Sequence, residues 1–182
     1  MATDAAAYCW GVGSHGRLGS ASVRVANAPM AVAGGLKFTT LSAGYYHACG
    51  VTTAGRAYCW GADSLGELGD GKKGTQSAAP VAVEGGLTFT SVSVGSQHSC
   101  GATSRGTYCW GNNVSGQLGD GTTSQRSTPV AVAGGLTFAT LSSRGARTCG
   151  VTTAGVVYGW GWATMGAINE RSSVPVRLGG SP

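Results

Sequence analysis

HACGVTTAGRAYCWG, residues 47–61, holds the reading that decides the fold. β-branched, aromatic and Cys residues dominate its two halves, HACGVT and RAYCWG. Between them, Thr53-Ala54-Gly55 reads as a three-residue hairpin loop with Gly55 in the left-handed conformation. That loop sets the register: Thr52 opposite Arg56, Val51 opposite Ala57, Gly50 opposite Tyr58 and Cys49 opposite Cys59. The two thiols then face one another across neighbouring strands.

The same hairpin recurs. HSCGATSRGTYCWG starts at His98, and RTCGVTTAGVVYGWG at Arg147. The second places Cys100 and Cys109 one residue closer than Cys49 and Cys59, so its turn is shorter by one. YCWG first appears at Tyr8, and Trp10, Trp60, Trp110 and Trp160 fall 50 residues apart. Each Trp is followed by a Gly-rich segment: GVGSHGRLGS, GADSLGELGDG or GNNVSGQLGDG. Next comes a Pro with short apolar residues, at Pro29, Pro80, Pro129 and Pro175, and then GGLKFTTLS, GGLTFTSVS or GGLTFATLS. The period covers nearly the whole chain. It is read as a single repeat domain, 1–182, with units at about 8–57, 58–107, 108–157 and a partial 158–182.

Bulky residues alternate with Thr in LKFTTLS, where Leu36, Phe38 and Leu41 are the large positions. No stretch shows an apolar period of helical length. Short strands bounded by Gly, Ser, Asp and Thr argue for an all-β protein. About four strands in each 50-residue unit suit the blades of a β-propeller-like array. Cut from Pro to the next Trp, the chain has three blades, Pro29–Trp60, Pro80–Trp110 and Pro129–Trp160, with strand fragments at either end. Three blades and a half do not close a ring, so the array is open or completed by oligomerisation.

These residues resemble the repeats of the regulator of chromosome condensation family. The pattern is HxCGVTxxGxxYCWGxNxxGQLGDGTTxxxxxPVxVxGGLxFxxLSAG. Tyr108–Thr123, YCWGNNVSGQLGDGTT, followed by PVAVAGGLTFATLS, carries it most closely. The Cys-containing form is similar to the bacterial branch. The resemblance implies a propeller, typically of seven blades, and proteins that act by binding other proteins. One eukaryotic member exchanges nucleotide on a small GTPase, and one bacterial member inhibits β-lactamases. The last unit departs from the pattern. Trp160 to Pro175 is 15 residues against 19 or 20 elsewhere, and the LGDG turn is reduced to Ile168-Asn169.

The hairpin register pairs Cys49 with Cys59 and Cys100 with Cys109 as disulfides, which implies an oxidising compartment. The alternative is six small buried residues in a reduced protein. Cys149 faces Gly159, and Cys9 faces a strand that would precede the chain, which makes Cys9 and Cys149 candidates for a disulfide between molecules. Trp10, Trp60, Trp110 and Trp160 are expected to pack blade against blade. His47 and His98, in equivalent places, are expected to make hydrogen bonds inside their blades.

Only 10% of the residues are charged, and the +5 net charge comes from basic residues scattered along the sequence. That scatter does not suggest a nucleic-acid stripe. No apolar run approaches the ~18 residues of a transmembrane helix. MATDAAAYCW has neither the basic nor the apolar region of a signal peptide. No nucleophile–base pair, carboxylate pair, cofactor loop or metal-ligand spacing stands out, so no enzyme, cofactor or metal is expected. The expected function is therefore a non-enzymatic, extracellular or cell-surface structural protein. It would associate head to tail with its own copies into a ring or filament through the terminal strands. The alternative is a propeller module, or a fragment of a longer propeller, that binds another protein through its loops.

Overall fold

The computed structural model describes residues 5–20, 23–162 and 171–179, so Ile168-Asn169 and most of the shortened last loop lie outside the described residues. Strands β1 (Tyr8–Val12) and β2 (Val25–Ala31) form a two-stranded sheet. Three four-stranded antiparallel meanders follow. The first is β3 (Phe38–Ala43), β4 (His47–Thr52), β5 (Ala57–Asp63) and β6 (Thr75–Ala82). The second is β7 (Phe89–Val94), β8 (His98–Thr103), β9 (Gly106–Gly111) and β10 (Arg126–Ala131). The third is β11 (Phe138–Arg144), β12 (Arg147–Thr152), β13 (Val157–Trp162) and β14 (Arg171–Leu178). Each meander is a propeller blade, and the ring is open.

The β4–β5 hairpin has the register that its loop demands. Val51 pairs with Ala57, Gly50 with Tyr58 and Cys49 with Cys59. The β8–β9 turn is one residue shorter and still sets Cys100 opposite Cys109. Disulfides join both pairs.

The blade boundaries differ from the Pro-to-Trp cut. The strand of Pro80 pairs with β5 of the preceding hairpin, Cys59 opposite Val81, and does not open the next blade. Pro129 and Pro175 likewise lie in β10 and β14, the outer strands of their sheets. An outer strand is where a residue without an N–H costs no ladder bond. YCWG is thus the third strand of a blade rather than its last, and each blade begins with Phe38, Phe89 or Phe138. The described residues form three complete blades, preceded by the outer half of another.

The core lies between blades. Cys49, Val51 and Cys59 of the first blade pack with Phe89, Val94 and Trp110 of the second. Cys100 and Cys109 of the second pack with Phe138 and Trp160 of the third. The half-blade contributes Ala7 and Val32 against Phe38 and Trp60. Trp60, Trp110 and Trp160 are buried and reach back towards the preceding unit, where Gly19, Gly69 and Gly119 lie against their indoles. These glycines have φ near +70°, and a Cβ on Gly69 would sit 2.8 Å from Trp110 Nε1. Trp10 does not pack in this way. It is 63% exposed, because no described unit stands before the half-blade to cover it.

Polar bonds close each junction. The Val94 N–H donates to Ser42 Oγ across the first junction (3.0 Å), and the Ser143 N–H to Ser93 Oγ across the second (2.8 Å). His47 and His98 bond between blades, not within them. His47 Nε2 lies 2.8 Å from Ser99 Oγ, and His98 Nε2 2.9 Å from Thr148 Oγ1.

Candidate protein-binding face

The antiparallel meander sends the β3–β4, β7–β8 and β11–β12 turns to one end of the array, together with the β1–β2, β5–β6 and β9–β10 loops. The three inner turns crowd one another. A Cβ on Gly44 would meet Gly95 O at 2.2 Å, and the Ser96 N–H donates to Gly145 O at 3.1 Å. Around them opens a groove of about 710 Å³ whose lining includes Tyr45, Arg144, Arg147 and Trp162 and no carboxylate. Tyr45 and Trp162 are 66% and 61% exposed. The Arg171 guanidinium lies 5.5 Å from the centre of the Trp162 ring.

Arg17 braces one wall. Its guanidinium donates to Val12 O (2.7 Å), to Ser14 Oγ (2.9 Å) and to Tyr45 O. The neighbouring Tyr46 ring stacks edgewise on Tyr45, at 4.6 Å between centroids, and on His15, at 6.0 Å.

The charge of this end was not legible in the linear order of the residues. By strand direction, Arg17, Arg24, Lys72, Lys73, Arg126, Arg144, Arg147 and Arg171 all belong to it. Among the described carboxylates at the same end, Asp63 and Glu67 are turned inward, and Glu84, which is exposed, lies against Gly71 of the β5–β6 loop. Asp63 is fully buried, accepting from the Leu68 N–H (3.0 Å) and from Thr75 Oγ1 (3.3 Å). Glu67 is buried with its Oε2 on the Leu65 N–H (2.6 Å). Burial raises the pKa of both above the usual carboxylate range. Asp120 is held below that range, against its own burial, by Thr122, Arg126 and Asn113, and its ion pair with Arg126 is 3.1 Å. Asp70 pairs with Lys72 at 3.6 Å. Among the described residues, only Lys72 and Arg126 have a carboxylate partner.

The His–hydroxyl pairs are not a catalytic site. His47, Ser99, His98 and Thr148 are all buried. The Ser99 proton is committed to Glu67 O (3.0 Å) and the Thr148 proton to Gln117 O (2.9 Å). Each imidazole therefore donates through Nε2, and its buried Nδ1 has no hydrogen-bond partner. Burial pushes His47 down to about 3, with His98 adding a smaller repulsion, and His98 to about 4. Among the described residues, no three His, Cys, Asp or Glu side chains gather as metal ligands.

Cys9 lies on the first sheet, packed towards Trp60 and Phe38, and Cys149 on the last, opposite Gly159. Both are half-buried thiols, and no disulfide joins them within the chain. β12 is paired along both edges, with β11 and β13, so another strand reaches Cys149 only through the blade face.

The model of the regulator of chromosome condensation (RCC1) repeat matches residues 4–51, 54–102 and 106–146, and a second model of the same repeat matches 38–67 and 89–117. The chain belongs to the RCC1 repeat family. No curated protein matches this RCC1-repeat chain. Among solved structures it is similar to human WBSCR16, with TM-score 0.86 and 16% identity over 97% of this chain and 49% of that one. It is also similar to Prp20p of Saccharomyces cerevisiae, with TM-score 0.81 and 19% identity over 96% of this chain and 46% of that one. The latter structure was described with its binding properties to Gsp1p and histones, and a further one shows yeast RCC1 (Prp20) bound to Kap60. At these identities the likeness establishes the propeller fold alone. The RCC1-repeat chain spans about half the length of the structures it matches.

Proposed function

We propose that this chain is a non-enzymatic RCC1-repeat scaffold that binds an acidic segment of another protein on its turn-end face. The supporting observation is the groove where Arg144 and Arg147 meet exposed Tyr45 and Trp162 with no carboxylate in the lining. Arg, Tyr and Trp are the residue types that dominate binding energy in protein interfaces. A positive face steers acidic partners and speeds their encounter. The two disulfides suit an oxidising compartment, which favours an extracellular or cell-surface setting. A Glu/Asp-rich peptide carrying one Tyr is the probe, with duplex DNA as competitor. Tight peptide binding, weakened at least tenfold by Arg144→Ala with Arg147→Ala and by Trp162→Ala, supports the reading. Preference for DNA overturns it in favour of a nucleic-acid face.

A second reading is head-to-tail association of copies, favoured by Trp10. Its counterparts are buried against a preceding unit, and Trp10 alone is exposed. In a filament or ring, the last blade of a neighbouring copy would cover it. Because β12 is already paired on both edges, the join is face to face, and a Cys9–Cys149 bond would have to cross the blade face. Sedimentation over a range of concentrations tests this. Association that Trp10→Ser abolishes supports it, and a monomer at all concentrations removes it.

A further inference from the structure

The β5–β6 and β9–β10 loops share one main-chain course and differ at a single buried atom. Asn113 ties the β9–β10 loop together. Its Oδ1 accepts the Leu118 N–H (3.0 Å), and its Nδ2 donates to Asp120 Oδ1 (3.0 Å) and to the Thr122 carbonyl (3.0 Å). Asp63 holds that place in the β5–β6 loop. Its Oδ1 accepts the Leu68 N–H (3.0 Å), and Asp70, like Asp120, accepts the N–H two residues on. Asp63 Oδ2 therefore stands where Asn113 has Nδ2. An oxygen, not an N–H, is turned towards the Asp70 carboxylate.

The surroundings only partly replace the lost donor. Thr75 Oγ1 lies 3.3 Å from Asp63 Oδ2, and a hydroxyl can donate or accept. Asp120 is also held by the Thr122 hydroxyl and by Arg126. Lys72 follows Asp70 where Thr122 follows Asp120, and Ser77 faces Gly61 where Arg126 faces Gly111. Lys72 reaches Asp70 at 3.6 Å from an exposed side chain. Glu67 of the same loop adds a second buried carboxylate, and Glu84 lies against Gly71. From the second blade, Arg126 comes close to Gly66 by its carbonyl, while its guanidinium is spent on Asp120. The Ser14–Gly16 turn, which carries His15, packs on β5 and β6, and His47 of β4 lies beside Gly61 with its Nε2 bonded to Ser99.

This loop also joins two blades. The Gly71 N–H donates to Ser127 O at 2.9 Å, as the Gly121 N–H donates to Ser173 O one blade later. Described units stand on both sides of it, the half-blade before and the second blade after.

We infer that Asp63 and Asp70 share one proton, that this proton closes the β5–β6 loop as the Asn113 amide closes the β9–β10 loop, and that its loss as pH rises loosens the loop on the second blade. Two carboxylates turned towards one another in a buried place do not both ionise readily. Burial above all, and the Asp70 charge with it, raise Asp63 above the usual carboxylate range, against the hydrogen bonds from Leu68 and Thr75. The folded value exceeds that of the unfolded chain, so the protonated pair holds the loop at acid pH and lets go as pH rises through the folded value. The turn-end groove does not enter this reasoning, and either proposal can fail without the other.

The full chain, carbon-13 labelled at its aspartate carboxyls, gives the first test, and the label leaves Glu67 silent. Asp63 should titrate above the ordinary carboxylate range and Asp120 below it. Hydrogen exchange, corrected for intrinsic rate, gives the second. Protection of the Leu68 and Gly71 amides, relative to Leu118 and Gly121, should fall roughly tenfold from about pH 5 to about pH 8, the change that one unit of pKa shift carries. Asp63→Asn supplies the amide and should abolish this fall, whereas Asn113→Asp should create it in the β9–β10 loop. An Asp63 titration within or below the ordinary range would overturn the inference, as would a pH response that persists in Asp63→Asn. So would a β9–β10 loop that stays insensitive to pH in Asn113→Asp. Added calcium that pulls the Asp63 titration downward would give the place to a metal ion and overturn the shared proton.

Discussion

His47 Nε2 donates to Ser99 Oγ across the first blade junction at 2.8 Å, and the same serine passes its own proton to the carbonyl of Glu67. Burial, with Nδ1 left unpartnered, disfavours the charged imidazole, and His98 repeats the arrangement with Thr148 at the next junction.

This makes stability pH-dependent with a definite sign. Both histidines have folded pKa values, about 3 and about 4, far below the 6.5 of an unfolded chain. The unfolded state therefore takes up protons first as pH falls. Their contribution is complete above pH 6.5 and is lost as pH falls from there to about 4 for His98 and about 3 for His47. Asp63 and Glu67, with raised values, act in the opposite direction in the carboxylate range. Urea midpoints measured from pH 7 to pH 4.5 should fall, and His98→Gln, which keeps a donor for Thr148, should flatten the slope by about half. A flat profile in the parent chain would contradict buried neutral histidines.

Glu67 and Gln117 hold equivalent places, and each side chain accepts a backbone N–H, from Leu65 and Ser115 respectively. The carboxylate is buried, and burial disfavours its charged form. Glu67→Gln should therefore raise the thermal midpoint at pH 7 by roughly 2–4 °C, the size expected of about 1 kcal/mol in a chain of this length. The gain should shrink at acid pH as Glu67 itself becomes neutral. Calorimetry at the two pH values measures both.

Gly69 has φ +71° and touches the Trp110 indole. Gly69→Ala combines left-handed strain with overpacking, and together these should cost about 2–4 kcal/mol. Chemical denaturation with Trp fluorescence reads the loss. Gly74, with a similar φ but nothing within 4 Å of a built Cβ, should lose only the strain part, about 1–2 kcal/mol.

The disulfides close loops of 10 and 9 residues. Replacing both cysteines of one pair with Ser should cost about 2–3 kcal/mol. Because each bridge lies in the apolar layer between two blades, the Ser hydroxyls would add a polar burial cost. Limited proteolysis should then cut first beside the altered hairpin, and cleavage spread evenly along the chain would argue against local loosening.

The hairpins were legible because their information is local. Loop length in GVTTAGRAY dictates which residues face each other, and Cys49 opposite Cys59 follows. The blade boundaries were not legible, because a repeat with a fixed period has no marked beginning. Whether the Pro80 strand belongs to the hairpin before it or after it is decided by hydrogen bonds to β5. The His47–Ser99 bond was likewise hidden, since the two residues are 52 positions apart and meet only when blades stack. The basic face escaped notice for a related reason. Its cations lie in separate units, and only the common direction of the loops brings them to one end.

The joints between blades rest on main-chain atoms. Trp60 Nε1 is received by the carbonyl of Arg17, Trp110 Nε1 by that of Glu67, and Thr148 Oγ1 by that of Gln117. A cation, an acid and an amide thus serve one structural post through a group that every amino acid possesses. Mutation can rewrite the side chain at this position in any unit and leave the hinge between neighbouring blades unaltered. The residue at this joint can therefore differ from unit to unit, even where it is buried as Glu67 and Gln117 are, while the bond to the next blade stays the same.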